Sequence, residues 1–314
     1  MKLLSAFLRL TRWPNLIFIA LTQCLYFFCV VNNTALPPVQ QHHFYLVVLA
    51  SVFIAAGGYI INDYFDMHID AVNKPFKVVV DKVLKRRWVI LWHMLFSVIG
   101  VVLTAYASYV THNWILLAGN ILCVFLLWFY STTFKKKLLI GNVIISALTA
   151  WVVLVLYLYC IGGLSRHIAP GGYLSGDTPG FRRLYKFTAL YAGFAFIVSL
   201  IREVIKDLED MEGDARYNCK TMPIVWGVPA AKVFAAVWLV VCIGALTLIQ
   251  VYAWQLGAWL NCLYNIVFII IPMLFILRSL YKAVNAADYH KLSQVVKFVM
   301  LTGILSMLFL KFFN

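Results

Sequence analysis

The sequence predicts an all-α protein threaded about nine times through a membrane. Of its 314 residues 63% are apolar and only 12% are charged, far from the mix of a soluble domain of that length. The apolar residues gather in about nine stretches, each near the roughly 20 residues a helix needs to cross hydrocarbon. Lys and Arg collect in alternate connections between those stretches. Little chain is left over, so one polytopic domain over 1–314 is expected.

The expected spans are 14–32, 44–61, 88–109, 113–130, 138–162, 186–204, 231–253, 258–281 and 293–312. Each should be helical, because lipid offers no partner to an open backbone group. The first follows Lys2, Arg9 and Arg12, is too long for a signal-peptide core and has no small-residue cleavage site after it, so it reads as a retained span. After the second come Lys74, Lys77, Lys82, Lys85, Arg86 and Arg87; after the fourth, Lys135 to Lys137; after the sixth, Arg216 and Lys220. The connections 33–43, 110–112 and 254–257 carry neither Lys nor Arg. That asymmetry places the N-terminus and the connections after even-numbered spans in the cytoplasm, and Asn314 outside. One connection objects, since 163–185 holds Arg166, Arg182 and Arg183 on the outer side.

The same distribution explains the excess of 26 Lys and Arg over 12 acids as short cytoplasmic connections rather than a nucleic-acid surface. Seven Cys lie mostly inside spans with no CxxC, so neither a disulfide framework nor a zinc site is expected.

The acids are sparse, and their placement is therefore informative. Asp63, Asp66 and Asp70 end the second span, and Glu203, Asp207, Glu209, Asp210, Glu212 and Asp214 end the sixth. Both clusters contain D-x-x-D-x-x-x-D, the second 144 positions after the first, a shared register that hints at an internal duplication. If helix continues through each motif, the three carboxylates project from one face, where like charges repel. A structural salt-bridge network is the alternative, but carboxylates at a membrane are costly enough to suggest function.

The partner expected there is a hard cation, because the donors are carboxylates and one amide, Asn62, with only His68 nearby. Magnesium fits, taking one or two carboxylates and completing its shell with water and phosphate, so two motifs suggest two Mg2+ ions clamping a diphosphate. Lys74, Lys77, Lys135, Arg202 and Lys206 are candidates to neutralise phosphate oxygens. For Lys135–Lys137 and Lys82 to Arg87 the competing reading is a solvated basic connection; Arg202 and Lys206, one helical turn apart among acids, point more to function. His68 either tunes the first motif or faces headgroups, and Glu203 pairs with Arg202 or Lys206 and orients it.

Over essentially its whole length the sequence resembles the UbiA superfamily of intramembrane prenyltransferases. The first motif stands here as N-D-Y-F-D-M-H-I-D, residues 62–70, and the second as D-L-E-D-M-E-G-D, residues 207–214. Tyr130, Ser131 and Lys135 match the Y-S-x-x-x-K element, followed by Gly141-Asn142, and Thr221-Met222-Pro223 resembles the T-L-P that follows the second motif. Where many members have an acid, Arg and Pro after Asn73-Lys74-Pro75, this chain has Phe76, Lys77 and Val78, so a phosphate role there rests on Lys77.

The resemblance implies nine helices around a central cavity, with Asn62, Asp63, Asp66, Asp70, Asp207, Asp210 and Asp214 as a metal–diphosphate cradle. Lys135 and Lys206 assist the phosphates, and Tyr130 and Asn142 are further candidates. It implies transfer of a prenyl group from a prenyl diphosphate, geranylgeranyl diphosphate being expected, to a lipophilic acceptor in a bacterial or archaeal membrane. Aromatic side chains, 23 Phe, 17 Tyr and 10 Trp, suit an isoprenoid tunnel, though packing and interfacial belts also use them. Residues 202–214, R-E-V-I-K-D-L-E-D-M-E-G-D, look most like the branch of geranylgeranylglycerol-phosphate geranylgeranyltransferases, which form an ether. An aromatic acceptor of quinone biosynthesis is the alternative, a benzoate or naphthoate. From other classes stand a cation-coupled transporter, against which the carboxylates at span ends argue, and a lipid-binding member without catalysis, against which the intact motifs argue.

Overall fold

The computed structural model describes residues 2–34, 41–73, 78–165 and 179–311. Those residues are helical throughout their long elements, and no named strand occurs among them. In chain order the helices are α1 (Lys2–Leu10), α2 (Trp13–Leu25), α3 (Gln41–Asn73), α4 (Arg86–Thr111), α5 (Trp114–Thr132), α6 (Ile140–Ser165) and α7 (Pro179–Glu209). They continue as α8 (Met211–Arg216), α9 (Met222–Val225), α10 (Val228–Gln255), α11 (Trp259–Asn265), α12 (Ile271–Lys282), α13 (Ala286–Leu305) and α14 (Met307–Leu310). A π turn at Tyr26–Val30 prolongs α2, and another at Ile266–Ile270 joins α11 to α12 into one span.

Nine helical segments among the described residues are long and apolar enough to cross a bilayer, matching the expected spans in number and order. Two begin earlier than hydropathy indicates. Helix α7 starts at Pro179, its first turns carrying Arg182, Arg183 and Lys186, and α13 starts at Ala286. A capping box explains the second: the Asn285 side chain accepts from the Asp288 amide, and the Asp288 carboxylate accepts from the Asn285 amide. Polar first turns lower hydropathy without interrupting helix.

The motif-bearing helices are unusually long. Helix α3 has 33 residues and α7 has 31, so each extends well over 40 Å, beyond the roughly 30 Å of hydrocarbon. The surplus turns at their C-terminal ends carry the carboxylates without carrying them to the bilayer centre.

Residues 1–134 and 151–190 form one compact unit, and 135–150 and 191–314 a second. In the first, α3 packs tightly on α4. A Cβ at Gly100 would lie 2.6 Å from Ile54 Cγ1 and 3.0 Å from the Ala50 carbonyl, so only glycine permits that approach. His93 Nδ1 lies 2.9 Å from the Gly57 carbonyl, and Asn120 bridges Trp151 Nε1 and Thr104 Oγ1 at 2.8 Å each. Gln23, fully buried, donates to Ser51 Oγ and the Val152 carbonyl. Such bonds join helices where lipid gives no hydrophobic drive for their association.

The second unit has an apolar core built from α7, α9, α10, α12 and α13 around Ile201, Val204, Ile205, Met222, Met273, Ile276 and Val296. Asn265 donates to Gln250 within it, and Lys232 Nζ caps the end of α12 by donating to the Ala283 carbonyl at 2.5 Å.

Candidate active site

In the first unit the helix continues unbroken through Asn62, Asp63, Asp66 and Asp70. Asn62 and Asp66, one turn apart, are both buried, while Asp63 and Asp70 are half-buried and His68 is exposed. Asn62 Nδ2 donates to Asp66 Oδ2 at 2.6 Å, which turns the amide oxygen the other way, and that buried oxygen has no hydrogen-bond partner. An unsatisfied buried acceptor costs about 1–3 kcal/mol. A hard carbonyl oxygen left open beside a carboxylate is a donor set suited to magnesium.

Asp63 has a partner that hydropathy and motif spacing do not reveal. Arg12, between α1 and α2, donates from Nη2 to Asp63 Oδ1 at 2.6 Å, with its guanidinium 5.3 Å from the centre of the Tyr59 ring. Its backbone is left-handed, φ 49° and ψ 49°, a conformation uncommon for a side chain with a Cβ. Attraction by Asp63 raises the Arg12 pKa further above its already high ordinary value, so the guanidinium stays charged. The sequence shows Arg12 only as one more basic residue before a span.

The second unit departs from the expected single helical face. Helix α7 ends at Glu209, Asp210 sits in a bend at φ −97° and ψ 7°, and α8 carries Asp214. The interruption is shallow, since the Asp210 amide still donates to the Lys206 carbonyl and the Asp214 amide to the Asp210 carbonyl.

Asn142, from α6, donates from Nδ2 to Asp207 Oδ2 at 2.8 Å, bringing together two of the sequence candidates. Glu203 is the hub of the turn above. It accepts from Arg202 Nη1 at 3.1 Å and from Lys206 Nζ at 3.0 and 3.2 Å, while its side chain is only 10% exposed. The buried Arg202 Nε has no hydrogen-bond partner. Asp214 is buried, and its carbonyl accepts from the Cys219 amide. His290 of α13, which no sequence signal marked, places Nδ1 2.9 Å from Glu209 Oε1.

Lys135 lies half-buried in the short turn Phe134–Lys136, and Tyr130 is half-buried near the end of α5. Lys74 and Lys77 lie outside the described residues, as does Arg166. Among the described residues no three His, Cys, Asp or Glu side chains converge on one point. Magnesium needs fewer, because water and substrate phosphate complete its shell.

Each unit therefore carries an amide–aspartate pair at the end of a long span, Asn62 with Asp66 and Asn142 with Asp207. The profile of the UbiA prenyltransferase family matches residues 20–310, both motifs included. The chain belongs to that family. A digeranylgeranylglyceryl phosphate synthase of Methanopyrus kandleri is 30% identical over 260 residues, covering 83% of this chain and 84% of that protein. The synthase of Methanosphaera stadtmanae is 29% identical, covering 81% and 83%. A UbiA homologue of Archaeoglobus fulgidus, solved bound to DMAPP and Mg2+, shares the fold with a TM-score of 0.58 at 15% identity, over 96% of this chain and 98% of that one.

As a UbiA member the chain is an integral membrane prenyltransferase, not a transporter. The nine spans and the motifs at the ends of the second and sixth accord with that membership.

Proposed function

We propose that this enzyme transfers a geranylgeranyl group from geranylgeranyl diphosphate to a hydroxyl of geranylgeranylglycerol phosphate, forming an ether, in a magnesium-dependent reaction. The observation that carries the choice of acceptor is the likeness, over more than four-fifths of both chains, to relatives named digeranylgeranylglyceryl phosphate synthase. The family supplies the reaction type, and the A. fulgidus homologue bound to DMAPP and Mg2+ supports the donor class and the ion.

In this reading Asn62, Asp63, Asp66 and Asp70 hold one metal ion and Asp207, Asp210 and Asp214 a second. Bound there, magnesium supplies positive charge that stabilises the diphosphate as the C1–O bond breaks with its electron pair on oxygen. Asn62 keeps its amide oxygen turned away from Asp66, and Asn142 fixes the orientation of Asp207. Lys135, with Lys74 and Lys77, draws charge from the phosphates. Arg202 and Lys206, aligned by Glu203, engage the acceptor phosphate; a fork and a point charge on one helix face suit an anionic acceptor. The acceptor oxygen bonds to C1 and its proton passes to the released diphosphate, leaving an ether and no charged carbon. Apolar side chains around the tail exclude water that would quench the allylic cation. The motifs and the N-terminus face the cytoplasm in this account, following the distribution of Lys and Arg.

The test is a membrane assay with radiolabelled geranylgeranyl diphosphate and magnesium, offering geranylgeranylglycerol phosphate, 4-hydroxybenzoate or dihydroxynaphthoate in parallel. Label in a base-stable ether lipid that forms only when geranylgeranylglycerol phosphate is present supports the proposal. Label in a prenylated aromatic acid replaces the acceptor.

A further inference from the structure

The first twelve residues belong to no span, yet α1 is docked firmly. Its inner row, Ala6 and Leu10, is buried, and Phe7 packs its ring 5.2 Å from Trp92 and 6.1 Å from Phe96 of α4. Thr11 closes the helix by donating to the Phe7 and Leu8 carbonyls, and the left-handed Arg12 then turns the chain into α2 while bonding Asp63. Helix α1 therefore lies at the membrane face that bears the first Asp motif.

Its outer side is a groove of about 300 Å³ lined by Leu4, Ser5, Leu8, Arg9 and Trp13. Helical spacing sorts these into two rows. Leu4 and Leu8, exposed at 65% and 40%, form an apolar row, and Ser5 and Arg9 form a polar row beside it, with Trp13, the first residue of α2, also lining the groove. The sequence from Lys2 to Arg12 contains basic residues and no acid. An apolar row beside one hydroxyl and one guanidinium, closed by an indole, matches a ligand with acyl chain and phosphate side by side. One cation suits a phosphodiester of charge −1. It does not suit a diphosphate, whose higher charge calls for more than one cation.

We propose that the α1 groove binds an anionic glycerophospholipid of the surrounding leaflet, its phosphate on Arg9 and Ser5 and an acyl chain along Leu4, Leu8 and Trp13. Lipid bound there stabilises the α1–α2 junction and so holds Arg12 against Asp63. This goes beyond the assigned reaction and does not depend on which acceptor the enzyme uses.

Native mass spectrometry of the purified full chain tests it, using phosphatidylglycerol and phosphatidylcholine of identical acyl chains at equal concentration. The wild type should retain phosphatidylglycerol preferentially, with Arg9→Gln lowering that preference roughly fivefold and Arg9→Lys keeping most of it. Leu8→Asn should lower retention of both lipids. Both Arg9 variants alter an exposed side chain, so thermal unfolding of the lipid-free protein should match the wild type within the scatter of surface substitutions. Equal retention of the two lipids by the wild type, or an unchanged preference in Arg9→Gln, overturns the proposal. Full displacement of phosphatidylglycerol by millimolar inorganic phosphate also overturns it, since the groove would then be a phosphate site with no use for the apolar row.

Discussion

Replacing Glu203 by Gln separates alignment from charge at the proposed acceptor site. Glu203 accepts three contacts of 3.0 to 3.2 Å from two cations, and its carboxylate is 10% exposed against 23% for Arg202 and 27% for Lys206. A hydrogen bond to a charged group contributes about 1.5–3 kcal/mol, which the partial exposure of the cations reduces. Gln keeps one accepting oxygen and turns an NH2 toward the other cation, so one of the two loses its partner and its orientation. The net loss is about 1–1.5 kcal/mol, which in acceptor binding corresponds to roughly five- to twelvefold. Steady-state kinetics with each substrate varied in turn should show the acceptor KM rising by that factor and the donor KM changing less than twofold. Removing a negative charge would by itself draw an anionic acceptor closer. An acceptor KM that falls or stays unchanged would therefore refute the idea that Glu203 works by aligning Arg202 and Lys206.

Arg12→Gln leaves the half-buried Asp63 without its cation and should destabilise the protein by about 1–2 kcal/mol, read as a lower unfolding midpoint in detergent, with Arg12→Lys intermediate. Gly100→Ala forces a methyl group against Ile54 and the Ala50 carbonyl and should cost about 1–3 kcal/mol by the same measurement, whereas Ala at Gly244, which would meet nothing within 4 Å, should be neutral or slightly stabilising. Asn62→Leu removes the open amide oxygen while keeping side-chain volume, and the magnesium concentration giving half-maximal transfer should rise at least fivefold.

The spans were legible because hydropathy reports directly on the solvent of a helix, and their number and order followed from that alone. Their ends were less so. Arg182 and Arg183 in α7, and Asp288, His290 and Lys291 in α13, lie on helical turns that hydropathy scores as loop. The Asn285–Asp288 capping box was present in the sequence as a start signal and would have moved the last boundary to its observed place. Glu203 between Arg202 and Lys206 was readable from helical spacing, since i and i+3 share a face.

The pairing of Arg12 with Asp63 was not readable, because it spans 51 positions and depends on a left-handed turn that no residue preference announces. The bend at Asp210 also escaped, because backbone hydrogen bonds run across it and the sequence retains helical spacing on both sides. Asn142 came from family resemblance, and the structure supplies a physical task for it, a donor to Asp207.

The proposed binding of the donor diphosphate by the two Asp motifs depends on magnesium. Equilibrium binding of radiolabelled geranylgeranyl diphosphate to the purified protein, with magnesium or with EDTA, tests it most directly in the wild type and in Asp66→Asn and Asp210→Asn. Binding should require magnesium and should weaken at least tenfold in each variant; equal binding in EDTA, or wild-type affinity in both variants, would contradict the claim.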